Sequence, residues 1–287
     1  MKSKIYKIVV IVISSFILTA CSSDDDNTSR METGSVEIKW DNIVGSMDMN
    51  LVQKEDLNYA YSTADDQEFN ITAFGYYINR IVLEGPNGER YEDEVSISAA
   101  ESKGVYHVVE GDFASTNTIL SNVPAGKYNK ITFTVGIPEE GVQEGAAGGV
   151  LDPAGGAWFW NWNAGYIGFL VEGHASTSSQ AYNEIDGFVV PEKSFAIHIG
   201  GWRDIEPIEG EPQKFVNNVK TITLNFDSDI TVADNQQPSV HLLVNAKALF
   251  DESQIDFSTT YAVHAPANGK PFADVLQDVF SYSHVHQ

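Results

Sequence analysis

Seven histidines and five tryptophans are the residues of this chain best suited to chemistry. His284 and His286 stand two apart, so an extended backbone presents both imidazoles on one side. Copper and zinc both favour imidazole. His198 is flanked by Ile197 and Ile199 and followed by Gly200 and Gly201, so on a strand it points away from its apolar neighbours. His107, within Val105–Val109, is a lone candidate, and His174, His241 and His264 have no partner in sequence. The ordinary alternative for each lone histidine is a hydrogen-bonded structural residue, and for the terminal pair a frayed chain end. Met47 and Met49 offer two thioethers for soft copper, although methionines so placed are more often gap fillers.

Trp158, Trp160 and Trp162 crowd the stretch Leu151–Gly173 and share a face if it is extended. Gly155, Gly156 and Gly165 bracket them and allow tight turning. Such density reads as a core plug or as a ligand platform. A third reading is chemical, because an indole beside a redox metal can be oxidised.

The elements that must position these residues begin after an export segment. Residues 1–20 have a basic start (Lys2, Lys4, Lys7) and an apolar run, Ile8–Leu18, too short to span as a mature helix. Leu18-Thr19-Ala20-Cys21 resembles a bacterial lipobox, which implies acylation of Cys21 and a lipid anchor rather than a membrane span. The acidic run Asp24–Asp26 within the tether 21–33 resembles the surface-export signal of Bacteroidota lipoproteins. The expected location is therefore the outer membrane, with the protein displayed on the cell surface. Cys21 is the only cysteine, so the folded part has neither a disulfide nor a thiolate metal site. The formal charge of −23 disfavours nucleic acid as a partner.

Residues 34–287 read as one domain. Alternating apolar residues mark strands at Val36–Trp40, Phe69–Glu84, Val105–Val109, Lys130–Gly136, Tyr166–Glu172, Phe195–Trp202, Lys220–Asp227 and Val240–Ala246. Phe272, Val275, Leu276, Val279 and Phe280 fall on one helical stripe, with Pro271 suited to the first turn. The expected fold is an all-β sandwich, Ig- or jelly-roll-like, with a short C-terminal helix.

Several blocks occur in order along this frame. They include Tyr106-His107-Val108-Val109, Val123–Tyr128, Trp160-Asn161-Trp162-Asn163-Ala164-Gly165-Tyr166, Glu172-Gly173, His198-Ile199-Gly200-Gly201 and the terminal His284-Val285-His286. Together they resemble the MbnP family of copper-binding envelope proteins. The resemblance implies one Cu(I) per chain, held by two histidines and by a tryptophan oxidised to kynurenine. It also implies a dihaem partner enzyme of the MauG/cytochrome c peroxidase type that performs the oxidation. His198, His284 and His286 match the family's histidines, and Trp160 and Trp162 its tryptophans. Tyr166 and Trp158 would then stand around the metal and keep water away, while the alternative for Tyr166 is a core tyrosine bonded to backbone.

The leading expectation is a non-catalytic copper-binding lipoprotein for copper capture or handling. The alternative is a carbohydrate-binding surface lipoprotein serving a TonB-dependent outer-membrane transporter, with Trp158, Trp160, Trp162 and Trp202 stacking on sugar rings. A hydrolase has no support from motifs: neither Gly-x-Ser-x-Gly nor His-Glu-x-x-His is present.

Overall fold

The computed structural model describes residues 32–142, 147–185, 187–203, 212 and 215–287. The expected signal segment, Cys21 and nearly all of the expected tether lie outside the described residues. Alternating apolar residues extend into strands β1 (Thr33–Val44), β2 (Glu68–Glu84), β3 (Val105–Val109), β4 (Asn117–Pro124) and β5 (Gly126–Val135). Then come β6 (Phe159–Asn161), β7 (Gly165–Ala175), β8 (Ser194–Gly200), β9 (Lys220–Val232), β10 (Ser239–Asn245) and β11 (Phe280–His286). Short helices α1 (Ala246–Glu252), α2 (Pro266–Asp274) and α3 (Leu276–Val279) fall between the last two strands.

The smaller sheet runs β11–β10–β1, with β4 and the short strand Met47–Asp48 also paired to β1. The larger sheet runs β9–β5–β2–β7–β8 and ends on the short strand Ala262–Val263. Between them lies one apolar core. Val36, Ile38, Trp40, Val240, Leu242 and Val244 face Tyr76, Ile78, Phe133, Phe169 and Val171 across it. The protein is an all-β sandwich. Trp40 is its central plug, edge-on to Tyr76, Phe133 and Phe280, and its indole N–H donates to Thr118 Oγ1 at 3.0 Å.

A second, smaller core covers the outer face of the larger sheet. Tyr77, Tyr166, Val105 and Leu151 form it, with Trp158 and Phe159 packed on. Alternation explains the division: Tyr76 and Ile78 point inward, so Tyr77 points out.

Two bulges reset that alternation. Arg80 adopts a positive φ of 53°, after which Ile81 and Leu83 rather than even-numbered residues enter the core. In β11, Leu242 opposes Tyr282 but His241 opposes His284, so Ser283 is an extra residue in the ladder. Before it Phe280 and Tyr282 face the core; after it Val285 does. The slip turns His284 and His286 outward.

The C-terminal helix divides into α2 and α3, and Pro271 stands inside α2 rather than in its first turn. The apolar stripe still works as expected: Phe272, Leu276, Val279 and Phe280 are buried. Met49 is buried while Met47 is exposed, so the two thioethers do not share a side.

Candidate metal centre

His284 and His286 are held on a paired strand, and His241 joins them from β10. One ring nitrogen from each of the three lies within 4.8 Å of the others. His284 Nε2 and His286 Nε2 are 3.2 Å apart, and the His241 ring stacks on His284 at 4.2 Å. All three sit on the outer face of the smaller sheet, since Val240 and Leu242 take the inner one.

Second contacts fix two of the rings. His241 Nδ1 donates to Asp41 Oδ2 at 2.7 Å, which leaves its Nε2 as the lone-pair nitrogen. That Nε2 is buried and has no hydrogen-bond partner. Ser283 Oγ meets His284 Nδ1 at 2.9 Å, so the bulged residue steadies the ring it has turned. Loss of water, then the charges of His241 and His286, hold His284 below the usual histidine range despite the opposing pull of Asp41. That favours the neutral ring, the form that binds metal. The open groove beside the cluster is lined by Asp41, Asp48, Glu110 and Asp112, an acidic approach that favours cations. Glu110 is held there by Asn42 Nδ2 at 2.8 Å, and buried Tyr76 in turn donates to Asn42 Oδ1 at 2.9 Å.

His198 is not part of this cluster. It stands on the outer face of the larger sheet, where its Nε2 meets Glu172 Oε1 at 2.8 Å and its Nδ1 meets His264 Nδ1 at 3.1 Å. Burial tends to raise the Glu172 pKa, but the hydrogen bond and charge of His198 outweigh it and hold the carboxyl below its usual range. His107 lies in the outer small core, stacked on Tyr77 at 4.2 Å and against the Trp158 ring at 4.4 Å. Its Nε2 is buried without a partner, and loss of water pushes its pKa down to about 4.

The tryptophan stretch is not one extended face. β6 covers only Phe159–Asn161, with a register slip on β7, and Asn161 Oδ1 accepts from the Asn163 and Ala164 amides to close a turn. Trp158 therefore enters the small core, Trp160 packs beside Gly201, and Trp162, 42% exposed, leans on Phe159. Trp202 is buried against Gly165, whose φ of +88° and missing Cβ admit the ring. Of the five indoles only Trp162 is well exposed, so the set forms no flat sugar platform. Tyr166 is buried, donates to Leu151 O at 2.7 Å, and has its pKa raised by burial to about 12.

The MbnP family model matches residues 33–266. The chain belongs to the MbnP family. The span matched to MbnP holds His107, His198, His241 and every tryptophan, and ends before His284. Among solved structures the chain is similar to MbnP from Methylosinus trichosporium, at 14% identity over 74% of this chain and 76% of that one, with a TM-score of 0.44. Among curated proteins no match is found. Membership of the MbnP family supports a copper-related function in general terms.

The three-histidine cluster fits such an ion. With metal–nitrogen bonds of about 2.0 Å, the 3.2 Å gap between His284 and His286 subtends about 106°, an ordinary angle for three- or four-coordinate sites. His241 is placed to offer a third nitrogen, and its Nε2 is buried without a hydrogen-bond partner. Neither His241 nor Asp41 stands out in sequence; only the pairing of β1, β10 and β11 brings them to the terminal histidines.

Proposed function

We propose that this protein is an envelope lipoprotein that captures or hands on copper, without catalysis, binding one Cu(I) through His241, His284 and His286. The orphaned Nε2 of His241, aimed by Asp41 beside two further imidazoles, is the observation that carries this reading. Copper(I) accepts three neutral nitrogen donors, and the acidic groove draws cations toward them. In this reading His241, rather than His198 or His107, completes the set. Acylated Cys21 would tether the domain to the outer membrane, with the metal site displayed at the cell surface.

The tryptophan chemistry is a separate part of the proposal. Trp162 leans on Phe159 of the small core and Trp160 packs beside Gly201, just past β8 of the larger sheet, whereas the cluster is on the outer face of the smaller one. A kynurenine there, made by a dihaem MauG-like enzyme, would be a modification apart from this ion. Intact mass of protein made with and without that enzyme tests it; equal masses dispose of it.

Anaerobic competition against a chromophoric Cu(I) chelator tests the metal site. The expected result is uptake at the cluster that is lost in His286→Ala and in His241→Ala. Unchanged uptake in both variants would overturn the reading.

A further inference from the structure

His198, Glu172 and His264 form an imidazole–carboxylate group that the copper reading leaves unused. The short strand Ala262–Val263 runs parallel to β8, with Ala262 opposite Ala196 and Val263 opposite Ile197. The next residue on each strand is a histidine, so the pairing itself delivers His264 beside His198. Their Nδ1 atoms are 3.1 Å apart and the ring planes cross at 76°.

The carboxylate decides what those nitrogens offer. Glu172 Oε1 accepts from His198 Nε2 at 2.8 Å, which places the His198 proton there and the lone pair on Nδ1. His264 Nδ1 faces that lone pair. It meets it with a proton, or a cation takes the proton's place. Asp41 fixes His241 Nδ1 in the same way and leaves its Nε2 without a partner.

Room for a ligand adjoins the pair. A cavity of about 130 Å³ is lined by His198, His264, Glu172, His174 and Lys54, with Phe188 on its wall. At about 30 Å³ per water it holds an ion with a few waters. Bonds of about 2.0 Å across the 3.1 Å gap subtend about 102°, close to tetrahedral, leaving two positions open toward the cavity.

We propose that His198 and His264, oriented by Glu172, form a second metal site for a tetrahedral, imidazole-binding transition-metal cation of the Zn²⁺ class. It shares no residue with the His241 cluster and lies on the opposite outer face of the sandwich, so either site stands without the other.

The test uses full-length, chelator-stripped protein carrying His284→Ala and His286→Ala, titrated with Zn²⁺ by calorimetry and native mass spectrometry. It should bind one Zn²⁺ per chain. Adding His264→Ala should abolish that binding with the circular dichroism spectrum unchanged, and adding Glu172→Gln should weaken it by about 10- to 100-fold. Absence of a bound Zn²⁺, or a bound Zn²⁺ that survives His264→Ala, overturns the proposal. The single variant His264→Ala should keep full Cu(I) uptake at the His241 cluster, so failure here is distinguishable from failure of the copper reading.

Discussion

Replacing Asp41 should weaken Cu(I) binding without unfolding the protein. Asp41 touches no metal; it accepts from His241 Nδ1 at 2.7 Å and so aims Nε2 at the site. Across the ring, its charge is about 7 Å from a bound ion when metal–nitrogen bonds are about 2.0 Å. At that distance the attraction is about 0.6 kcal/mol in water and about 2.4 kcal/mol at an effective dielectric of 20. The Asp41 side chain is 38% exposed and that of His241 14%, so the pair is partly screened and the effect falls between these limits. Asp41→Asn, which keeps an acceptor but loses the charge, should cost about tenfold in affinity, or about 1.4 kcal/mol. Asp41→Ala also frees the ring and should cost up to about 100-fold. Competition titrations against a Cu(I) chelator measure both variants. If Asp41→Ala binds within about twofold of the parent while His286→Ala does not bind, Asp41 has no orienting role and does not aim the His241 nitrogen at the metal.

Copper uptake should persist to lower pH than an unperturbed histidine would allow, because His284 is held below the usual range, and then collapse as the rings protonate; uptake already lost near pH 7 would contradict this. His107 is depressed in the folded state to about 4, so it contributes stability above the unfolded histidine value of about 6.5 that is lost as pH falls toward 4, up to about 3 kcal/mol in all. His107→Phe should flatten the urea-midpoint profile in that window, and an unchanged profile would refute the assignment. Gly165→Ala puts a Cβ 2.4 Å from Trp202 Cη2 at a φ of +88°, and should destabilise by about 2–4 kcal/mol in urea melts. A midpoint equal to the parent's would show that Trp202 can move aside.

Strands were the legible part of this chain. Alternation in Val36–Trp40 and Val240–Ala246 marks both β1 and β10, and burial follows it residue by residue. The terminal histidines were legible as a pair because their spacing is local. Their third partner was not: His241 is 43 positions from His284, and only strand order in the sheet joins them. His198 stood out because two glycines follow it, but the glycines serve close strand packing and the turn against Trp160 rather than a shared ion with the C-terminus. The tryptophans misled by spacing alone. An Asn161-capped turn ends the extended run, and three indoles two apart reach three different environments.

Ser283 makes the chemistry of the last strand a question of parity. Removing Ser283 would leave a regular ladder, with His284 still opposite His241 and Val285 still opposite Val240. A ladder that kept Ser283 but lost the bulge would instead set Ser283 opposite His241, swinging both imidazoles under the sheet and Val285 into water and erasing the metal centre while the sandwich still closed. Deletion of Ser283 should therefore leave a copper binder of similar fold, an outcome that separates the role of the bulge from that of the histidines.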